Sequence, residues 1–210
     1  AVVCSDRLHQ ATLIVAALAA GLVVCPLDHA TRPRALETLL AAAAPELVCD
    51  DALAAALLEG GEEGASLQRS SPTGGLLIYT SGATGVPKGV FLDELQIGAN
   101  VAFAREHFGY QAGWTSGCLL PLHHTFAIIS DLLPVLCAGG RVVVLPGFAT
   151  EDAGAVGRAF ARHGVRSFSA VPIILEALLA LSVPLPPSLP FAISGAAPLT
   201  ERTRVRYRER

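Results

Sequence analysis

Apolar positions along this chain fall into short runs of two kinds, and the two kinds alternate. Residues 10–20 form an Ala-rich stretch with helical spacing, and the β-branched run at 22–25 follows it. The same step recurs at 34–43 then 47–49, at 126–137 then 141–145, at 152–163 then 165–170, and at 173–181 then 191–193. Further helices are predicted at 52–58 and 92–108, and further strands at 1–4, 76–80 and 118–120. Glu151 and Asp152 open the helix at 152–163, where the helix dipole favours acids. Strands that read as nearly continuous apolar runs and are separated by helices predict an α/β fold, with parallel sheets covered by helices on both faces. Ligands of such folds gather at the carboxyl ends of strands. The polar stretch at 60–75, rich in Gly, Ser and Glu, reads as a surface loop and a candidate subdomain boundary.

Composition changes this picture only a little. The chain has 210 residues, 52% of them hydrophobic, which is ample for a buried core. A net charge of −3 argues against a general nucleic-acid binder. The arginines at 202, 204, 206, 208 and 210 read as an exposed helix with charge spread around it. The uncharged stretch at 11–27 falls short of the roughly 20 apolar residues a membrane span requires. Gly21 divides it into a helix and a strand, so no transmembrane segment is expected. Five scattered cysteines without a CxxC pair exclude a zinc knuckle and predict buried, reduced thiols, as in a cytoplasmic protein. The absence of methionine, even at position 1, gives the expectation that the sequence starts within a longer protein.

The chemistry concentrates behind the strand at 76–80. There Thr80, Ser81, Gly82, Ala83, Thr84, Gly85, Val86, Pro87, Lys88 and Gly89 follow one another. Gly82, Gly85 and Gly89 let backbone N–H groups approach an anion and allow positive φ. Thr80, Ser81 and Thr84 add hydroxyls, and Lys88 adds a point charge. Several charge-assisted hydrogen bonds of this kind hold a polyphosphate. The kinase-type loop is excluded by counting: Pro87 stands where it needs Gly, and Gly89 where it needs Ser or Thr. No GxGxxG spacing is present either. His123 and His124 sit between a strand and a helix. As neighbours in a strand they would point to opposite faces, which argues against a shared metal. Trp114 reads as packing rather than chemistry.

The run from Tyr79 to Val90 resembles the phosphate loop of the adenylate-forming superfamily, which includes acyl-CoA synthetases, aryl-CoA ligases, luciferases and peptide-synthetase adenylation domains. Ala83 replaces the usual Thr, and Leu92-Asp93-Glu94 stands where the family often has Leu-Thr-His, so these two acids carry no assigned role. Leu120-Pro121-Leu122-His123-His124 is similar to the family's Pro-Leu-Phe-His motif. Ala170-Val171-Pro172 is similar to its Val-Pro segment, and Ser194-Gly195-Ala196-Ala197-Pro198-Leu199 to its adenine-facing turn. The run from Gly21 to Leu27 is similar to its Gly-to-Pro-Leu strand.

The resemblance implies ATP, Mg²⁺ and a carboxylic acid, which becomes an acyl-adenylate with release of pyrophosphate. It also implies a thiol acceptor, coenzyme A or the phosphopantetheine arm of a carrier protein. Lys88 and His124 take the catalytic roles. Thr80, Ser81, Gly82, Ala83, Thr84, Gly85, Lys88 and Gly89 hold the phosphates, Gly195, Ala196, Ala197 and Pro198 border adenine, and His124 with Val171 borders the acyl group. The run from Leu120 to Phe126 favours a fatty or other acyl-CoA synthetase. No metal ligand is assigned. The family's later Tyr-Gly-x-Thr-Glu motif, its ribose-holding Asp and the Lys of its mobile C-terminal lid domain do not occur before Arg210. Residues 1–210 therefore read as a partial N-terminal domain, inactive alone, with a catalytically incomplete nucleotide-binding module as the alternative.

Overall fold

The structure is a computed structural model that describes residues 1–60, 74–80 and 87–209. It divides into two compact units: Ala1–Asn100 with Leu122–Thr125, and Val101–Pro121 with Phe126–Arg210.

In the first unit, α1 (Arg7–Ala19) starts where Asp6 caps it, its carboxylate accepting from the N–H of Leu8 at 2.7 Å and of His9 at 3.2 Å. Gly21, at φ +73°, turns the chain into β1 (Val23–Val24). Helix α2 (Pro33–Ala43) begins with proline at its first position, and α3 (Asp51–Glu59) is capped by Asp50. The strands expected at 1–4 and 47–49 reduce to single bridges, Val2 with Pro26 and with Cys49.

β2 (Gly75–Thr80) pairs parallel with β1 and antiparallel with β3 (Lys88–Asp93), in the order β1-β2-β3. This sheet is therefore mixed where parallel pairing was expected throughout, and the helix predicted from residue 92 starts at Glu94 as α4 (Glu94–Phe108). The cause is a capping box. Asp93 accepts from the Gln96 N–H at 2.8 Å, and Gln96 accepts from the Asp93 N–H at 3.0 Å, so Asp93 ends the strand and begins the helix. No helix among the described residues is long and apolar enough to cross a membrane.

The second unit is built on β4 (Thr115–Cys118), β5 (Arg141–Val144), β6 (Ser167–Ala170) and β7 (Phe191–Ser194), all parallel, in the order β5-β4-β6-β7. Phe168 projects to one face, into a core with Phe160 of α7 (Ala153–His163) and Leu175 and Leu178 of α8 (Pro172–Ala180). Gly117 lacks a side chain because a Cβ there would lie 2.5 Å from Phe160 Cε1. Glu151 and Asp152 fall in a 3₁₀ turn just before α7 rather than inside it.

Ser167 and Ser169 project to the opposite face, as the two-residue period requires. That face is covered by the segment expected as one helix at 126–137. It is instead α5 (Thr125–Ala127), a π-helical turn at Ile128–Leu132, and α6 (Leu133–Cys137). Leu133 N–H reaches back five residues to the Ile128 carbonyl. Pro134 has no N–H for the carbonyl of Ser130, and the Tyr110 hydroxyl donates to that oxygen instead, at 3.1 Å. Trp114 packs as expected: it is buried, donates to Ser167 Oγ at 2.9 Å, and lies under the Arg166 guanidinium at 4.0 Å. The arginine-rich tail forms α9 (Glu201–Arg208), largely exposed and capped by Thr200. No cysteine is in a disulfide; Cys4, Cys25, Cys49 and Cys118 are buried, whereas Cys137 is exposed, against the expectation.

Candidate functional site

Residues 81–86, which include Ser81, Gly82, Ala83, Thr84 and Gly85, lie outside the described residues. The structure describes the two stems of that connection. Thr80, exposed, ends β2; Lys88, exposed, starts β3; the two are register partners, and Thr80 Oγ1 donates to the Lys88 carbonyl at 3.4 Å. Lys88 thus opens a strand, in keeping with the failed kinase-loop count. Gly89 sits in the ladder opposite Tyr79, without the positive φ expected of it. Its missing side chain makes room for Leu77, whose Cδ1 would lie 3.2 Å from an added Cβ. The sheet register decides this: the ladder reaches back to residue 88, so Gly89 belongs to a stem.

His123 and His124 belong to this first unit. They lie in a turn, not a strand, so their rings approach to 4.3 Å with a tilt of 55° instead of pointing apart. His123 is half-buried, and its pKa is lowered, mainly by burial and then by His124, with Asp28 acting in the opposite sense. His124 is exposed. Among the described residues no group of three or more His, Cys, Asp or Glu side chains is arranged to hold a metal ion.

Val171 and the small-residue turn belong to the second unit. Val171 is half-buried and extended at the carboxyl end of β6, and serves as the N-cap residue before Pro172. Gly195 follows β7 and donates its N–H to the Ala170 carbonyl at 3.3 Å, so the two strand ends are tied together. The Phe126 ring lies against Gly195; a Cβ there would come within 2.6 Å of Phe126 Cζ. Ala196 adopts a left-handed φ of +65°, and Ala196, Ala197 and Pro198 are exposed. The turn therefore offers a low backbone ledge beside an aromatic ring.

Three residues here were missed by sequence reasoning. Phe126 and Ser194 were read only as parts of a helix and a motif. Ser194 Oγ is buried, without a hydrogen-bond partner among the described residues. Asp131 is fully buried and accepts from Ser169 Oγ at 2.8 Å, Ser169 N–H at 3.3 Å and Ser116 Oγ at 3.3 Å. Burial pushes its carboxyl up to about 7, against the lowering effect of these hydrogen bonds. The signal for Asp131 was available: a lone acid inside the apolar run 126–137.

Residues 68–210, well over half the chain, match the family described as AMP-binding enzyme. The chain is 30% identical to the L-proline–[L-prolyl-carrier protein] ligase of Streptomyces coelicolor, covering 85% of this chain and 40% of the relative. It is 31% identical to the sulfoacetate–CoA ligase of Cupriavidus necator, covering 81% of this chain and 38% of the relative. The chain thus spans about two fifths of these relatives' length. The fold superposes on O-succinylbenzoate coenzyme A synthetase from Bacillus subtilis, solved in complex with AMP, with a TM-score of 0.81 at 21% identity, over 99% of this chain and 46% of that one. With a family match that runs from before β2 through the turn after β7, this chain belongs to the family of AMP-binding enzymes.

Proposed function

We propose that this chain contributes part of the ATP- and acyl-binding portion of an AMP-forming acid–thiol ligase. A carboxylate oxygen of the substrate attacks the α-phosphorus of ATP, forming the acyl-phosphate bond while the bond to the β-phosphate oxygen breaks and pyrophosphate leaves. A thiol then attacks the acyl carbon, giving a thioester and AMP. The observation that carries this reading is the family match over residues 68–210, which includes the Thr80–Lys88 hairpin stems and the ledge at Gly195.

In this reading the connection from Thr80 to Lys88, with Ser81, Gly82, Ala83, Thr84, Gly85 and the stem residue Gly89, takes the β- and γ-phosphates. Lys88, exposed at the strand's first position, offsets charge on the leaving pyrophosphate. Gly195, Ala196, Ala197 and Pro198 seat adenine, their small side chains admitting a flat base. His124 and Val171 border the acyl group. Positioning and charge neutralisation supply the catalysis. Coenzyme A is the favoured thiol, with a carrier-protein arm as the other acceptor seen among the relatives. We place the acid among fatty or related acyl groups and the protein in the cytoplasm, which suits five thiols outside any disulfide. Residues 1–210 alone give no acyl-adenylate at a useful rate.

Calorimetric titration of the chain with ATP and AMP tests the assignment. Nucleotide binding that weakens in Lys88→Ala supports it, and the absence of any nucleotide binding overturns it. Pyrophosphate exchange over a panel of carboxylic acids, run on a protein spanning the relatives' full length, identifies the acid.

A further inference from the structure

Among the described residues, Asp131 is the one buried acid in the β4–β6 layer with no part in the chemistry above, and its placement connects it to the ledge. The carboxyl lies in the π-helical turn, five residues after Phe126. It is held by Ser169 of β6 through both N–H and hydroxyl, and by Ser116 of β4. Ser169 is one residue before Ala170, whose carbonyl receives the Gly195 N–H. The same strand therefore grips Asp131 on one side chain and the Gly195 turn on its next carbonyl. Phe126 closes the loop by resting on Gly195. Among the described residues, Tyr110 is the titratable side chain on a neighbouring element that feels Asp131: its hydroxyl donates to the Ser130 carbonyl in the same turn, and burial and then Asp131 raise its pKa.

We infer that Asp131 is a positioning residue: by fixing the π-helical turn to Ser169 and Ser116 it sets where the Phe126 ring lies over Gly195, and so the width of the opening beside the turn. A π turn places the residues before it at a rotation an unbroken α-helix would not give, so its anchor decides the direction in which Phe126 points. An apolar helix lying on a sheet has several near-equivalent registers. A carboxyl with three donors at fixed positions has one. The bearing of this on ligand binding rests on the reading of the turn as the seat of adenine.

The test uses nuclear magnetic resonance on the whole chain, reading the ring-current shift of the Gly195 α protons and their cross-peaks to the Phe126 ring. Asp131→Asn keeps the shape and an acceptor, and is expected to retain both signals. Asp131→Leu removes the polarity in a branched side chain of larger volume, and is expected to lose the cross-peaks and to move the Gly195 shift toward its random-coil value while the far-ultraviolet spectrum stays native. Should Asp131→Leu fail to fold, Ser169→Ala removes the 2.8 Å hydrogen bond alone and is expected to move the Gly195 shift in the same direction by a smaller amount. An unchanged Phe126–Gly195 contact in folded Asp131→Leu, or an unmoved Gly195 shift in Ser169→Ala, overturns the inference and leaves Asp131 a purely structural acid. Titrating the same samples with AMP separates the two readings. Loss of the contact with wild-type AMP affinity retains the positioning role and rejects the adenine seat, and absence of AMP binding in the parent chain rejects the seat alone.

Discussion

The two sheets of this molecule handle polar chemistry in opposite ways. In the β1-β2-β3 sheet the polar groups that matter stand at an exposed end: Thr80 and Lys88 face solvent, and Val90 and Phe91 of β3 are exposed as well. In β4 and β6 of the β5-β4-β6-β7 sheet the polar groups are inside. Thr115, Ser116, Ser167 and Ser169 are all buried in β4 and β6, with Asp131 against them. A polar group exposed to water costs the fold nothing and stays available to a ligand. A polar group in the interior must find a partner within the protein, and then it fixes geometry. The difference leaves Lys88 accessible to a ligand and makes Asp131 part of the architecture.

Replacing Asp131 with Leu gives the largest expected effect. The Ser169 donors lose their acceptor and Ser116 Oγ keeps only the Ser167 carbonyl, and stability falls by about 3 kcal/mol, read from the shift in denaturant midpoint. The same carboxyl gives a pH dependence with a definite sign. Its pKa is raised from 3.8 to about 7 in the folded state, so the folded chain binds its proton more tightly than the unfolded one. The stabilisation this provides is whole below pH 3.8 and is lost as pH rises through about 7. Subtracting the Asp131→Asn profile from the wild-type profile isolates this slope, and a flat difference over that window contradicts the burial argument.

Next in size is Gly157→Ala. A Cβ there meets the Pro184 carbonyl oxygen inside van der Waals contact, and backbone cannot step aside cheaply, so a loss of about 2 kcal/mol is expected in the same melt. Asp93→Ala removes one half of the capping box at the β3–α4 junction and costs about 1 kcal/mol. Lys88→Ala is smallest in stability, within about 0.5 kcal/mol, because the side chain is exposed. Its effect belongs to calorimetry, where nucleotide affinity is expected to fall roughly tenfold or more. A Lys88→Ala protein that unfolds would erase the contrast between the sheets.

Much of this was legible in the chain. The run from Leu76 to Thr80 reads as a buried strand because its apolar side chains have no other use, and the helices at Arg7–Ala19 and Ala153–His163 follow from apolar spacing. The glycines, hydroxyls and lysine behind β2 point to an anion because few other needs put them together. β4 is the misplaced strand of the second sheet: it reads Thr-Ser-Gly-Cys, so the expected strand slid to the more apolar residues 118–120, whereas β6, Ser-Phe-Ser-Ala, lies inside the expected run 165–170. Period and hydropathy find strands by the water they avoid. A strand whose hydroxyls are satisfied by an acid from a distant helix carries no such mark.

By itself, then, the sequence determined the alternation of elements, the buried strand ending at Thr80, and the chemical character of the residues that follow it. Those are local facts, settled by side chains within a few residues of one another. Only the tertiary structure decided that β3 folds back antiparallel on β2, that Gly89 is a stem residue, that His123 meets His124, and that Asp131 joins Ser116 and Ser169 while Phe126 rests on Gly195. These depend on register and on close approach between segments tens of residues apart, and no local pattern of hydrophobic and polar positions encodes either.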